Sequence, residues 1–110
     1  MSEFNKHDGE KCRVELIEPS FIAGIGWVLT FGADKYGVDN WKLATEEDIE
    51  RVKGALMRHL LSYMDGELLD PESGKPHLWH IGTNTMFLDY YEREKDYGRA
   101  STNQETGRSD

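Results

Sequence analysis

Apolar residues recur at spacings of three and four residues in three stretches of the chain, each opened by a proline or a threonine. This spacing places them on one side of an α-helix, so each stretch predicts an amphipathic helix. The predicted stripes are Phe21, Ile25 and Val28 in the first stretch; Ile49, Val52, Leu56, Leu60 and Tyr63 in the second; and Leu78, Ile81, Thr85 and Leu88 in the third. The chain is therefore expected to be all-α, with about three main helices.

The first predicted helix starts at Pro19, a residue suited to the first helical position, and ends before the turn-like sequence GVDN (37–40). Its apolar residues are interrupted by Gly24, Gly26 and Gly32. Each glycine costs a helix up to about 1 kcal/mol relative to alanine. Their presence in an apolar helix indicates that another backbone packs close to it.

The second predicted helix starts at Thr45, which forms a capping-box pattern with Asp48, and runs to about Asp65. Gly66 is expected to end it. The third follows Pro76 and runs from His77 to about Lys95.

The remaining segments flank one helical domain, residues 19–95. Residues 1–18 are expected to form an N-terminal arm in which CRVELI (12–17) is a short strand or extended segment. Residues 96–110 are polar and are expected to form a flexible tail. Three helices make an incomplete bundle, so we expect two or more chains to share a core, as a homodimer or homotetramer.

Composition narrows the possible partners. The 110 residues suit one domain, and the formal charge of −8 argues against nucleic acid or an anionic membrane as a partner. The single cysteine, Cys12, excludes an intrachain disulfide and a cysteine-rich zinc site. Neither a membrane-length apolar run nor a signal-peptide pattern occurs, so a cytoplasmic location is expected.

The loop before the third helix carries many side chains that can bind a metal. His77, His80 and Asn84 are spaced to project from one helical face. Glu67, Asp70 and Glu72 lie just upstream, and Glu67 is also the candidate general base. Carboxylates with neutral imidazoles suit Mn, Zn or Fe-type ions. The alternative is that the acids cap the helix and the histidines make interface hydrogen bonds.

A second polar segment, FGADKYGVDNWK (31–42), combines cations, an amide and aromatic rings. Lysines can neutralise a triphosphate, asparagine can bind a purine edge, and tryptophan can stack on the base. The alternative is that the two aromatic residues fill the core and the lysines are solvated. The candidate nucleotide-binding residues are Lys35, Tyr36, Asn40, Trp41 and Lys42.

Arg58 and His59 are polar residues in the second predicted helix. The guanidinium of Arg58 is shaped for phosphate, but a lone arginine on a helix is usually at the surface. His59 is either a ligand or a packed histidine.

EEDIE (46–50) and ELLD (67–70) match the EExxE…ExxD signature of MazG-like nucleotide pyrophosphohydrolases. A continuous helix would separate Glu50 from Glu67 by roughly 25 Å, too far for one metal cluster within a chain. We therefore interpret the first half as a capped helix start, although an antiparallel dimer could bring the two halves together. The sequence contains no P-loop and no serine nucleophile elbow, so neither of those classes of enzyme is supported. Its His7-Asp8 doublet lies in the polar arm rather than on a helix, which argues against an HD-type phosphohydrolase.

Several linked motifs together resemble one family: KYG..NW, RH, GE..D.ESG..HL.H and a following asparagine. Between Pro19 and Glu92 the chain resembles the phage and prophage domain known as dATP/dGTP diphosphohydrolase, usually placed with the MazG-like all-α enzymes. The resemblance implies an oligomeric, metal-dependent enzyme acting on purine deoxynucleotides. It points to Lys35, Tyr36, Asn40, Trp41, Arg58, His59, Glu67, Asp70, Glu72, Ser73, His77, His80 and Asn84.

The resulting hypothesis is a nucleoside triphosphate pyrophosphohydrolase that depends on a divalent ion, Mg or Mn with Zn possible. The expected metal ligands are Glu67, Asp70, Glu72, His77 and His80, with Glu67 and His80 also catalytic. Arg58, Lys35 and Lys42 would bind the phosphates, and Asn84 would orient a phosphate or a water. The other expected nucleotide-binding residues are Tyr36, Asn40, Trp41, His59 and Ser73. The alternatives are a protein that sequesters a nucleotide without cleaving it and a helical interaction module.

Overall fold

Three α-helices make up most of the chain in the computed structural model, which describes the backbone of residues 11–103 and the side chains of residues 11–95. They are α1 (Pro19–Tyr36), α2 (Glu46–Met64) and α3 (His77–Asn103). α3 packs against both other helices and is the centre of the fold. The all-α prediction with three main helices is confirmed. No helix in the described part is long and apolar enough to cross a membrane.

Two short 3₁₀ helices lie in the segments before and between the long helices, at Val14–Leu16 and Asn40–Leu43. The prediction of a strand or extended segment at residues 12–17 is therefore wrong. Within the described residues no strand lies beside this segment, so its backbone bonds locally instead, as Leu16 N–H donates to the Arg13 carbonyl at 3.0 Å.

The capping box predicted for α2 is present. Asp48 N–H donates to Thr45 Oγ1 at 3.1 Å, and Thr45 N–H donates to the Asp48 carboxylate at 3.0 Å. The helix then continues unbroken to Met64. The acids at its start are therefore separated from Glu67 by the full length of α2, as the helical spacing predicted.

α3 continues to Asn103, beyond the end at Lys95 that the sequence predicted. Extending an existing helix adds one backbone hydrogen bond for each residue fixed, so a polar continuation does not need an apolar stripe. Residues 1–10, which belong to the expected N-terminal arm, and residues 104–110 of the expected tail lie outside the described part.

α1 and α3 approach closely at two glycines. A Cβ atom on Gly24 would lie 2.5 Å from Trp79 Cε2, and one on Gly82 would lie 2.6 Å from Phe21 Cζ. The prediction of tight packing is confirmed for Gly24, although the close neighbour is the Trp79 side chain rather than another backbone. It is wrong for Gly26 and Gly32, where an added Cβ would meet nothing within 4 Å.

The inner face of α3 is not the face that the apolar stripe predicted. His77, Thr83 and Tyr91 are buried, with 2%, 1% and 7% of their surface exposed, whereas Leu78 is 44% exposed and Thr85 is exposed. α3 lies between two helices, and its inward polar groups have partners there or on α3 itself: the Thr83 hydroxyl, for example, donates to a backbone carbonyl of the preceding turn at 2.8 Å. Paired polar groups can occupy a core face that unpaired ones cannot.

The close packing at Gly24 predicts a stability difference between two conservative substitutions. Gly24→Ala should lower the free energy of unfolding by about 1–3 kcal/mol, because the added methyl overlaps the Trp79 ring. Gly26→Ala is the matched control and should raise it by about 0.5–1 kcal/mol, because alanine favours a helix and has open space there. Urea denaturation of both variants measures the difference, and equal effects would contradict the close contact.

Candidate metal and nucleotide site

A cavity of about 600 Å³ opens between the C-terminal half of α1, the second 3₁₀ helix, α2 and α3. This volume lies within the range of small-molecule sites. One part of its wall is polar and includes Lys35, Asn40, His59, Asp70, Glu72, His80 and Asn84. The other part is apolar and includes Val28, Phe31, Trp41 and Phe87. The cavity therefore places groups that bind charge beside groups that bind a flat apolar ligand.

The α2–α3 loop, residues 65–76, holds Asp70 in a fixed position. Asp70 N–H donates to the Lys75 carbonyl at 2.8 Å, and its own carbonyl accepts from Gly74 N–H at 2.7 Å. Its carboxylate accepts from Ser73 N–H at 2.9 Å. Gly74 has a φ of +74°, a left-handed conformation that glycine adopts without a steric penalty. The Asp70 carboxylate therefore bonds within the loop and does not cap α3, in contrast to what the alternative interpretation expected.

Three histidines meet at the junction of α2 and α3. The Nδ1 atoms of His59 and His77 are 2.8 Å apart, and the rings of His59 and His80 stack with centroids 4.4 Å apart at an angle of 3°. The i, i+3 spacing therefore directs His77 and His80 to the same partner. His59 lies at the centre of this histidine cluster and on the cavity wall. It is therefore packed against other side chains and also faces the space where a ligand could bind.

Each histidine of α3 also contacts the loop. His77 Nε2 lies 2.8 Å from Glu67 Oε1, and His80 Nε2 lies 2.7 Å from Ser73 Oγ. Asp70 Oδ2 is 3.7 Å from His80 Nε2. The loop and the first turn of α3 are therefore connected by side chains as well as by backbone.

Burial and neighbouring charges set the ionisation of the cluster. Burial lowers the pKa of His59 and of His80, and it outweighs the Asp70 carboxylate, which raises both. His77 lowers both pKa values further, and His59 also lowers that of His80. Burial alone would raise the pKa of Asp70, but the Ser73 N–H and hydroxyl, with His80 and His59, outweigh it and lower that pKa. Near neutral pH His59 and His80 are therefore neutral imidazoles beside the Asp70 carboxylate, the forms that bind a divalent ion.

His59, Asp70 and His77 form a possible ligand set, since each offers one ligand atom and these atoms lie within 4.8 Å of one another. Two nitrogens and one oxygen suit Zn, Mn or Fe-type ions. The donor chemistry of these residues therefore fits a divalent metal. His59, which the sequence analysis placed with the nucleotide-binding residues, belongs to this set.

The other residues predicted as metal ligands have different neighbours. Glu67 contacts the nitrogen of His77 that faces away from His59. Glu72 accepts a hydrogen bond from Lys35 Nζ at 2.8 Å, and both side chains are exposed. His80 is beside Asp70 and Ser73. The structure thus brings Asp70 and His77 together and leaves Glu67, Glu72 and His80 around them.

Of the three predicted phosphate-binding cations, the structure places one on the cavity wall. Lys35 is on the cavity wall, where Glu72 and Tyr36 raise its pKa and keep it charged. Lys42 is outside the wall formed by the described residues and lies over the rings of Trp41 and Tyr90. Arg58 is exposed, and its guanidinium folds back along α2 towards Gly54, where an added Cβ would be 3.1 Å from Nη1.

Trp41 packs against α3 and also lines the cavity. Its ring stacks on Phe87 with centroids 4.6 Å apart and meets the edge of Tyr90 at 5.0 Å, and its carbonyl accepts from the Tyr91 hydroxyl at 2.7 Å. It still lines the cavity, as do Asn40, Tyr36 and Asn84. Ser73 reaches the site indirectly, through His80.

The phenylalanines of the cavity were not among the predicted site residues. Phe87 follows His80 and Asn84 on the same face of α3, seven and three residues later, so the helical spacing that grouped His77, His80 and Asn84 could have found it. Phe31 lies one turn before Lys35 on α1, whose ammonium is 5.4 Å from its ring centroid.

Comparisons with known proteins found a matching family model and a phage relative. The family model described as "dATP/dGTP diphosphohydrolase, N-terminal" matches residues 2–100. A protein of Salmonella phage PMBT28 named "dATP/dGTP diphosphohydrolase" is 35% identical over 83 residues, which cover 76% of this chain and 28% of that protein. The chain thus spans less than a third of the length of this relative. No solved structure matches the chain. On the extent of the family match, the chain belongs to the dATP/dGTP diphosphohydrolase N-terminal family.

Proposed function

We propose that the protein hydrolyses purine deoxynucleoside triphosphates in this cavity to the nucleoside monophosphate and inorganic pyrophosphate. It would thereby act on the nucleotide pool of the cytoplasm. The observation that carries the proposal is that His59, Asp70 and His77 converge beside a cavity whose wall includes His59, Asp70 and Lys35. The name of the phage relative supports the choice of dATP and dGTP as first substrates to test.

The metal site proposed here consists of His59, Asp70 and His77. A divalent ion supplies charge that polarises a phosphoryl oxygen and lowers the pKa of a bound water. The chain contributes two imidazoles and a carboxylate that burial and the Asp70 turn hold in place. Mg prefers oxygen ligands, so Mn and Zn fit this donor set better.

Lys35 and Glu72 are the proposed entry point for the phosphates. Their ion pair is exposed, with 39% and 68% of the side chains accessible, so it contributes little to stability and can open readily. A polyphosphate can then replace Glu72 as the partner of the ammonium. Asn84 is on the same wall and can donate its amide N–H groups to a phosphate oxygen.

His80 is the proposed proton acceptor in the cavity. Its lowered pKa keeps it neutral near pH 7, and its Nε2 atom is bonded to Ser73 Oγ. The Ser73 hydroxyl can rotate and can therefore donate to the imidazole or accept from it. A water attacking the α-phosphorus would transfer a proton to His80 as the bond to the diphosphate breaks.

The base is proposed to bind at the apolar part of the wall. Phe31, Trp41 and Phe87 supply the flat apolar surface, and Asn40 supplies an amide that can pair with a purine edge. Tyr36 is 64% exposed beside them and is free to cover the base.

Turnover of each deoxynucleoside triphosphate with Mg²⁺ or Mn²⁺, followed by chromatography, tests the proposal. The nucleoside monophosphate and inorganic pyrophosphate are the expected products. Asp70→Asn should lower turnover and Mn²⁺ affinity by at least about 10-fold, because it removes a charged ligand while keeping the side-chain shape. Asp34→Asn, an exposed position on α1, is the control with the same change in charge.

The same assay separates the alternative function. Intact triphosphate together with measurable nucleotide binding would favour a protein that sequesters a nucleotide without cleaving it. Full turnover in Asp70→Asn would remove the assigned metal site.

Lys35→Gln should weaken nucleotide binding by about 3–10-fold, because a charge-assisted hydrogen bond to phosphate is lost at a partly exposed position. Lys75→Gln is the matched control: Lys75 also lies over an aromatic ring, 5.7 Å from the Trp27 centroid, but neither Lys75 nor Trp27 lines the cavity. Isothermal titration with a non-hydrolysable deoxynucleotide measures both. Equal affinities for the two variants would contradict the phosphate role of Lys35.

We also propose that the chain works as a homodimer or homotetramer. Within residues 11–95, the buried large apolar side chains are Val28 and Tyr91, which is a small core for three helices. Met57, Leu61 and Met64 on α2 are 53%, 58% and 71% exposed. An exposed apolar strip of this kind is typical of an interface.

Leu61→Glu should therefore shift the protein to a smaller assembly, because a buried, unpaired carboxylate would be introduced into the proposed interface. Light scattering coupled to size-exclusion chromatography gives the mass. Arg51→Glu changes charge elsewhere on α2, at a position 70% exposed, and should leave the mass unchanged. A monomeric wild-type protein would contradict the proposed assembly.

A further inference from the structure

We propose that Glu67 is a positioning residue that fixes the orientation and tautomer of His77, so that the other ring nitrogen of His77 stays unprotonated and can bind a divalent cation in place of the His59 N–H. This inference rests on the proposed function for the presence of the cation. It assigns Glu67 a different role from that of a metal ligand or a general base. Its basis is the 2.8 Å contact between Glu67 Oε1 and His77 Nε2.

Backbone hydrogen bonds hold the two partners at this distance. Glu67 N–H donates at 3.0 Å to the Ser62 carbonyl in the last turn of α2. His77 N–H donates at 2.9 Å to the Leu68 carbonyl, directly after Glu67. The backbone that carries the two side chains is therefore anchored to α2 on one side and to the start of α3 on the other.

The contact determines where the His77 proton lies. An ionised carboxylate only accepts hydrogen bonds, so the proton in this 2.8 Å contact belongs to Nε2 of His77. A neutral imidazole carries one proton, and its Nδ1 atom is then an unprotonated acceptor. The 2.8 Å contact between the two Nδ1 atoms consequently takes its proton from His59. Glu67 thereby sets the tautomers of two rings.

The direction of these groups is the one a metal site needs. His77 Nδ1 faces His59, the other histidine of the candidate ligand set, while Nε2 faces Glu67 on the opposite side of the ring. A carboxylate that accepts from the non-ligating nitrogen of a histidine fixes the ring and increases its basicity as a ligand. The side chain of His77 is 3% exposed and that of Glu67 is 48% exposed, so the carboxylate holds a buried ring from the protein surface.

The test compares the wild-type protein with Glu67→Ala and Glu67→Gln, and uses Asp65→Ala as the control. Asp65 is an exposed acid in the same loop, so its loss changes the charge near the site without removing a partner of His77. In metal-free protein at pH 8, ¹⁵N NMR of the imidazoles gives the tautomer of His77. In a separate experiment, titration with Co²⁺ or Mn²⁺ gives the metal affinity.

The expected result is an Nε2–H tautomer of His77 in the wild type and a mixture in Glu67→Ala. Metal affinity should fall by about 10–100-fold in Glu67→Ala, less in Glu67→Gln, and hardly at all in Asp65→Ala. Circular dichroism melting of each variant separates loss of orientation from loss of folding.

Two results would overturn the inference: an Nδ1–H tautomer of His77 in the wild type, or an unchanged tautomer and metal affinity in Glu67→Ala. Failure of the wild type to bind any divalent ion would instead remove the metal site of the proposed function. The tautomer measurement is made without metal, so it distinguishes these two failures.

Discussion

The buried imidazole of His77 constrains the rest of the structure more than any apolar contact. A polar ring with 2% of its surface exposed is tolerated only when both nitrogens have partners, because each unpaired group would cost about 1–3 kcal/mol. One partner, His59, comes from α2, and the other, Glu67, comes from the loop that follows it. The same two hydrogen bonds therefore join α2, the loop and α3, and place the candidate metal ligands side by side.

This arrangement explains why α3 turns its polar face inwards. The histidine-bearing face carries the groups that α2 and the loop can satisfy, whereas Leu78 on the other side has no partner among the described residues that buries it fully. Apolar surface left outside is then available for a second copy. The small apolar core and the polar site both result from the inward position of the histidine-bearing face of α3.

Helix positions followed from the sequence because they depend on local signals. The Thr45–Asp48 capping box set the start of α2, and Gly66, with a φ of +99°, lies just past its end. Gly24 was recognised as a close-packing position, but Gly26 and Gly32 could not be separated from it, since only the position of Trp79 distinguishes them. The inward face of α3 was predicted wrongly because hydrophobicity alone does not show that histidines will find partners. His59 could not be assigned as a ligand, because its contact with His77 joins residues on two different helices.

The loop between α2 and α3 is an exception to the usual freedom of surface loops, which commonly accept insertions and deletions. Gly74 N–H bonds to the Asp70 carbonyl, His77 N–H bonds to the Leu68 carbonyl, and Leu69 pairs with Pro76 as an antiparallel bridge. One added or removed residue would break this ladder and rotate the carboxylate of Asp70 away from the imidazoles. The number of residues in this connection is therefore dictated by the positions of Asp70 and His77 beside His59, rather than by the distance between the helices.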